Sequence, residues 1–180
     1  MKTLTLLRHA KSGWDDMSLR DFDRTLNAKG QRAAQVVGRN LRTMDLKFDR
    51  VVASPAIRVA ETLAHVGRGR GGDLSPVWDR RLYLASVESL LDVIREQPDD
   101  VGHLLIVGNN PGLEDLVLAL VPAGLANPQR EFVEDKFPTA SVAVMTLEIT
   151  RWPEAGAGRA TLTQFVRPRD LDPTLGPDMD

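Results

Sequence analysis

Thr3-Leu4-Thr5-Leu6-Leu7-Arg8-His9-Ala10 lies almost at the start of the chain. Residues 3–7 are apolar or β-prone, the make-up of a short buried strand, and the run stops at a cation and an imidazole. Outward from it, residues 11–26 are polar, with Trp14 and Phe22 as the only aromatic anchors, and read as a loop over the strand ends. Asn27 is a good N-cap for a helix running to about Arg42, in which Ala33, Val36, Val37 and Leu41 recur at helical spacing. A second strand is expected at residues 50–53. It stops at Ser54-Pro55, a capping residue followed by one suited to a first helical turn. That helix carries Ile57, Ala60, Thr62 and Leu63 and is expected to fray at Arg68-Gly69-Arg70-Gly71-Gly72, which reads as a flexible connector.

Further on, Trp78 starts a short extended piece, Ser86 caps a helix to about Gln97, and Pro98-Asp99-Asp100 turns the chain. Residues 103–107 are the clearest buried strand, emptying into Gly108-Asn109-Asn110-Pro111-Gly112 ahead of a helix over 113–120. Residues 141–149 and 160–166 alternate like a half-exposed antiparallel pair. Strands alternating with helices, then a late strand pair, predict an α/β fold: a three-layer α/β/α sandwich on a mostly parallel sheet. One domain over residues 1–170 is expected, with residues 171–180 as a loosely ordered tail rich in Pro and Asp.

The bulk composition agrees. The chain has 180 residues, 42% hydrophobic and 27% charged, enough for one real core. A net charge of −2 gives no basic footprint for nucleic acid, so no nucleic-acid partner is expected. With no cysteine, disulfides and thiol catalysis are excluded. No segment approaches a membrane span, and nothing at the N-terminus reads as a signal peptide, so a cytoplasmic protein without a membrane partner is expected. His9, His65 and His103 are the only histidines, none with a partner at ligand spacing, so neither a metal nor another cofactor is expected.

In parallel sheets ligands sit beyond the carboxyl ends of the strands. That rule brings together Arg8-His9, the segment from Ser54 to Arg58, and the loop from Gly108 to Pro111. Taken singly, each has a plainer reading: a surface pair, a solvated helix arginine, a turn. Together, two guanidiniums and an imidazole suit a phosphoryl group. Arginine grips phosphate oxygens in a fork, and an imidazole neutral at pH 7 can attack phosphorus. Phosphoryl transfer needs mainly positioning and charge stabilisation.

With these residues assembled, the chain resembles the histidine phosphatase superfamily, in particular its short SixA-like phosphohistidine phosphatase branch. The resemblance is carried by Leu7-Arg8-His9-Ala10-Lys11-Ser12, Asp21-Phe22-Asp23-Arg24-Thr25-Leu26 with Gly30, and Ser54-Pro55-Ala56-Ile57-Arg58-Val59-Ala60-Glu61-Thr62. Val107 to Asp115, Lys136-Phe137-Pro138-Thr139-Ala140 and Val166-Arg167-Pro168 complete it. It implies a hydrolase in which His9 is transiently phosphorylated while Arg8 and Arg58 grip the phosphoryl oxygens. Arg24 stands where the branch keeps an arginine near the pocket; a loop-to-helix salt bridge would explain it equally. Thr62 fits the motif or simple helix packing. Lys11, Ser12 and Trp14 either line the pocket mouth or anchor the loop.

One departure matters. The family pattern Gly-His-Asn-Pro-Gly has a second histidine where this chain has Asn109. Asn109 can donate through its NH₂ group, but only as a neutral donor. Charged hydrogen bonds contribute about 1.5–3 kcal/mol against about 0.5–1.5 for neutral ones, so the expected enzyme is about tenfold to a hundredfold slower, not dead. No carboxylate stands out as a general acid; Asp15, Asp16 and Glu88 are the candidates. Imidazole leaves from phosphorus more readily than an alkoxide, so a missing acid favours phosphohistidine.

The leading expectation is therefore a phosphatase acting in signal transduction on phosphohistidine in a partner protein, a phosphotransfer or phosphocarrier domain. The alternatives are a phosphatase of small phosphomonoesters or nucleotides, and a phosphate-binding pseudoenzyme.

Overall fold

In a computed structural model, residues 1–13, 16–124 and 127–177 are described. They form six strands: β1 (Lys2–Arg8), β2 (Arg50–Ala53), β3 (Val77–Trp78), β4 (His103–Gly108), β5 (Val142–Leu147) and β6 (Ala160–Val166). The helices are α1 (Ala28–Thr43), α2 (Ile57–Arg70), α3 (Val87–Arg95), α4 (Gly112–Leu120), α5 (Pro128–Asp135) and α6 (Pro168–Leu171). The strands make one sheet in the order β3-β2-β4-β1-β5-β6. β3, β2, β4 and β1 are mutually parallel, whereas β5 runs antiparallel to β1 and β6 to β5.

Side chains alternate across a strand, so one buried run feeds two cores. Leu4 and Leu6 of β1 and Leu104 and Ile106 of β4 pack with Leu90, Ile94 and Leu116 of α3 and α4. Leu7, Leu105 and Val107 point the other way, against Val37 and Leu41 of α1 and Val59 and Leu63 of α2. Helices thus cover both faces, giving the three-layer α/β/α sandwich.

Local chemistry sets most boundaries. The Asn27 side chain accepts from the Gly30 N–H and starts α1; that of Ser86 accepts from the Ser89 N–H and starts α3. Ser54-Pro55 does not start α2 as expected. Ala56 is the N-cap, and the Ser54 hydroxyl is spent on the Ala56 N–H at 3.3 Å, because the chain must first leave the sheet edge. Nor does α2 fray at Arg68-Gly69-Arg70. A Cβ on Gly38 would lie 2.2 Å from the Val66 carbonyl oxygen, and one on Gly69 2.0 Å from that of Gln35. These glycines let α1 and α2 approach backbone to backbone, and α2 runs through Arg70 to a left-handed cap at Gly71, φ 95°. Helix α5 has no counterpart in the sequence reading; it starts on an Asn127 cap with proline in its first turn, and only Val133 is buried, too little for a periodic signal.

The chain after Pro168 forms α6 and a 3₁₀ turn (Pro173–Leu175), with Leu175 buried in the α1–α2 core. Lys29 Nζ donates to the Gly176 carbonyl at 2.6 Å and ties this segment to α1. Residues 178–180 of the expected tail, and Trp14 and Asp15, lie outside the described residues. Among the described residues no helix is long and apolar enough to cross a membrane.

Candidate active site

Strand order and register assemble the site. Arg8 of β1 stands opposite Gly108 of β4, and Ala53 of β2 opposite Val107. The ladder runs one step further at each strand end, with His9 N–H donating to the Gly108 carbonyl at 3.0 Å and Ser54 N–H to that of Val107 at 3.1 Å. Three segments far apart in sequence thus end side by side at the carboxyl edge of the sheet.

His9 is 7% exposed. Its Nδ1 lies 2.7 Å from the Ala10 carbonyl oxygen. A carbonyl only accepts, so Nδ1 carries the proton and Nε2 keeps its lone pair in the neutral ring. Burial above all, with the charges of Arg58, Arg8 and Arg24, outweighs the help of the Ala10 bond and pushes the imidazole down to about 4. At neutral pH the ring is uncharged, the state a nitrogen nucleophile needs.

Arg8 is held from the far side. Its Nη1 donates to the Phe137 carbonyl at 2.8 Å, which also accepts from Asn110 Nδ2 at 3.0 Å. The Phe137–Ala140 segment is itself fixed by Ala140 N–H, which reaches the carbonyls of Arg8 and His9 at 3.1 and 3.0 Å.

Arg58, 3% exposed, sits in the first turn of α2. Asp21 clamps it: Nη1 donates to the Asp21 carbonyl at 2.6 Å and Nη2 to its Oδ2 at 3.0 Å. Tyr83 adds a hydrogen bond from its hydroxyl to the same Oδ2, and its ring packs edge-on against Phe22 at 5.1 Å. Burial works to raise the Asp21 carboxyl, but the bonds from Tyr83 and Arg58 win and hold it below the usual range, ionised and unfit as an acid at neutral pH.

Thr62 joins the two halves: its hydroxyl accepts from the Ala10 N–H at 2.9 Å and donates to the Arg58 carbonyl at 2.6 Å. The motif threonine is thus a buried strut between the turn after His9 and the helix bearing Arg58. Glu61 accepts from the Leu26 N–H at 2.9 Å and pins the loop end.

Among the described residues Arg24 is held within its own segment rather than by a loop-to-helix bridge. It pairs with Asp21 at 3.3 Å and donates to the Ser12 hydroxyl at 2.6 Å, yet stays near enough for its charge to depress His9. Ser12 therefore holds Arg24 and pairs with Leu26 in an isolated bridge. The Lys11 carbonyl accepts from Asn27 N–H at 3.1 Å and sits where any Cβ on Gly30 would be, only 2.1 Å away.

Asn109, 7% exposed, follows β4 directly. Its Oδ1 accepts from the Leu84 N–H at 3.2 Å. Only the amide oxygen can receive that proton, so the orientation is fixed and Nδ2 is the group left over, without a hydrogen bond to any described residue.

Among the carboxylates weighed as acids, Asp16 is fully exposed and accepts from the Ser18 N–H and hydroxyl, which hold its carboxyl low. Glu88 is exposed in the first turn of α3, and neither bonds to a site residue. His103 stands opposite Thr3 at the other end of β4, with Nε2 2.7 Å from the Thr5 hydroxyl, and His65 pairs with Gln35 between α1 and α2. Neither substitutes for the missing histidine. Among the described residues no three His, Cys, Asp or Glu side chains are grouped to hold a metal ion.

Sequence reasoning did not assign roles to Asp21, Tyr83, Glu61 or the Phe137 carbonyl. Asp21, Glu61 and Phe137 lie inside the motif blocks, and Tyr83 is the only tyrosine of the chain. Their partners come from other elements, so only the fold reveals what they hold.

The chain matches the model of the histidine phosphatase superfamily (branch 1) over residues 4–83. An uncharacterized protein of Mycobacterium leprae is 34% identical over 168 residues, 91% of this chain and 100% of that protein. A structure from Nakamurella multipartitia, assigned as phosphohistidine phosphatase SixA, is similar at 28% identity and TM-score 0.78, covering 93% of this chain and 96% of that one. Its counterpart from Agrobacterium tumefaciens, likewise assigned, is 27% identical with TM-score 0.74, covering 92% and 97%. By motif, fold and relatedness, this chain belongs to the histidine phosphatase superfamily.

Proposed function

We propose that the protein is a phosphatase that removes the phosphoryl group from phosphohistidine on a partner protein through a phospho-His9 intermediate. The observation that carries the reading is the tautomer of His9. Nδ1–H is committed to the Ala10 carbonyl, and a buried, neutral Nε2 stands beside two arginines.

In this reading Nε2 of His9 attacks phosphorus, the bond from phosphorus to the substrate nitrogen breaks, and the leaving imidazole takes a proton from solvent water. Arg8 and Arg58 balance charge on the equatorial oxygens, and Arg24 adds positive field from the rim. Asn109 Nδ2 donates a neutral hydrogen bond to the phosphoryl group. Water then attacks phosphorus, the bond to Nε2 breaks, and phosphate leaves with His9 restored. Asp16 and Glu88 bond to no site residue and Asp21 is held ionised, so none of these three serves as an acid, and an imidazole leaving group needs less protonation in the transition state than an alkoxide. That, with the likeness to proteins assigned as SixA, favours phosphohistidine over sugar phosphates or nucleotides.

Brief exposure to phosphoramidate, rapid quenching and mass spectrometry test this. Wild type should carry one phosphoryl group on His9, and His9→Ala none. An enzyme that never acquires the label is a phosphate-binding pseudoenzyme, and one that turns over sugar phosphates faster than phosphohistidine has the other substrate class.

A further inference from the structure

Beside the phosphoryl site, sharing Arg8 with it, lies a second cavity of about 450 Å³. Neither His9, Arg58 nor Asn109 lines it. Six of its lining residues are cations (Arg8, Lys11, Lys29, Lys136, Arg167 and Arg169), and none is an acid. In a chain of net charge −2 that concentration is local and one-signed. Several of the cations have internal work. Lys29 bonds the Gly176 carbonyl, and Arg167 pairs with Asp170 at 2.9 Å and lies over the Phe132 ring. Lys136, exposed, and Arg169, half-buried, form no ion pair with any described residue. Between the charges the wall is apolar, with Ala33, Leu175 and prolines.

We infer that this cavity is a docking site for an acidic polypeptide segment next to the phosphohistidine of the substrate protein; the inference rests on the functional reading above. One further phosphate would need two or three of these cations. Six, contributed by β1, α1, α6 and three connecting segments, with Lys136 and Arg169 outside any ion pair among the described residues, match several carboxylates spread along a chain, and the apolar wall suits their aliphatic stems. Such complementarity speeds encounter and orients the partner, and it weakens as salt screens it. The site accordingly selects phosphohistidines with acidic surroundings.

The test uses two phosphohistidine peptides that differ only in glutamates or glutamines around the histidine. With wild type at low salt the glutamate peptide should have a KM lower by about tenfold, an advantage that high salt removes. The double variant K136E/R169E should abolish or reverse the preference while keeping wild-type kcat on phosphoramidate, which also reports that it folds. Fluorescence anisotropy with the unphosphorylated peptides reads docking without catalysis and should show the same preference. Equal KM and equal binding of the two peptides by wild type would overturn the docking site, even if both are hydrolysed. Preferential, charge-reversal-sensitive binding of a small bisphosphate instead of the glutamate peptide would overturn it too. Preferred binding of the glutamate peptide with no turnover of any substrate would leave the docking site standing and remove the phosphatase reading.

Discussion

The hydroxyl of Thr62 accepts the backbone N–H of Ala10 at 2.9 Å while donating to the carbonyl of Arg58 at 2.6 Å, so one buried side chain sets the spacing between the turn after His9 and the helix that carries Arg58. Thr62→Val is nearly isosteric and removes both bonds, leaving the Ala10 N–H buried without a partner. It should cost about 1–3 kcal/mol in stability. Turnover should fall by about tenfold through misplacement of His9 against Arg58. Thr62→Ser, which keeps the oxygen, should recover most of the rate; denaturant titration and kcat on phosphoramidate read the two effects apart.

Asp21 makes a different kind of contribution: it holds and aims Arg58, and under the proposed function it would compete with the phosphoryl group for that guanidinium. Asp21→Asn keeps the carbonyl contacts but removes the charge that faces Arg58 and Tyr83. The variant should lower kcat/KM by about tenfold, since charged hydrogen bonds contribute about 1.5–3 kcal/mol. His9 should still be labelled by phosphoramidate, which shows that the nucleophile is intact.

Asn109 offers a test in both directions. Asn109→Asp keeps an acceptor for the Leu84 N–H and exchanges the donor for a negative oxygen facing an anion; turnover should drop by about 100-fold or more. Asn109→His supplies a donor able to carry charge and should raise turnover by about tenfold. Unchanged turnover in Asn109→His would show that Asn109 Nδ2 does not meet the phosphoryl group.

The pH dependence follows from His9. Its pKa falls from 6.5 in the unfolded chain to about 4 in the native state. Between those values the unfolded chain binds the extra proton, so this group costs stability as pH drops from 6.5 towards 4 and is neutral in effect above 6.5. A difference of that size corresponds to roughly 3 kcal/mol. His9→Gln removes it, so the variant should gain on wild type by up to about that amount between pH 7 and pH 4, as read by urea midpoints. Phosphorylation of His9 should show no acidic limb until pH approaches the lowered value.

Gly69 separates helix propensity from packing. In an exposed helix, alanine would stabilise by about 1 kcal/mol. Here the added Cβ would sit 2.0 Å from the Gln35 carbonyl oxygen, backbone that cannot swing aside. Gly69→Ala should therefore destabilise by about 1–3 kcal/mol, and its sign alone, read from thermal or denaturant melts, decides between the two.

What is local and periodic could be read from the order of residues alone. The strand over residues 3–7, the caps at Asn27 and Ser86, and the strand at residues 103–107 are short-range features written in side-chain size, branching and capping chemistry, and they sufficed for the layered α/β fold. Arg8, His9, Arg58 and Asn109 could be brought together from the sequence because Arg8 ends β1, His9 and Asn109 directly follow strands and Arg58 stands in the first turn of α2, and strand ends are where a parallel sheet gathers its ligands. What those residues touch emerges with the folded chain. The glycines of α2 read as loosening until α1 was laid against them, since close approach is a property of two helices and neither contains it alone. The Ala10–Thr62 bond of the strut, the Asp21–Tyr83 clamp on Arg58 and the Leu84 N–H that turns Asn109 all join residues at least 25 positions apart. A sequence states such residues one at a time, and their hydrogen bonds exist only once the chain has closed around them.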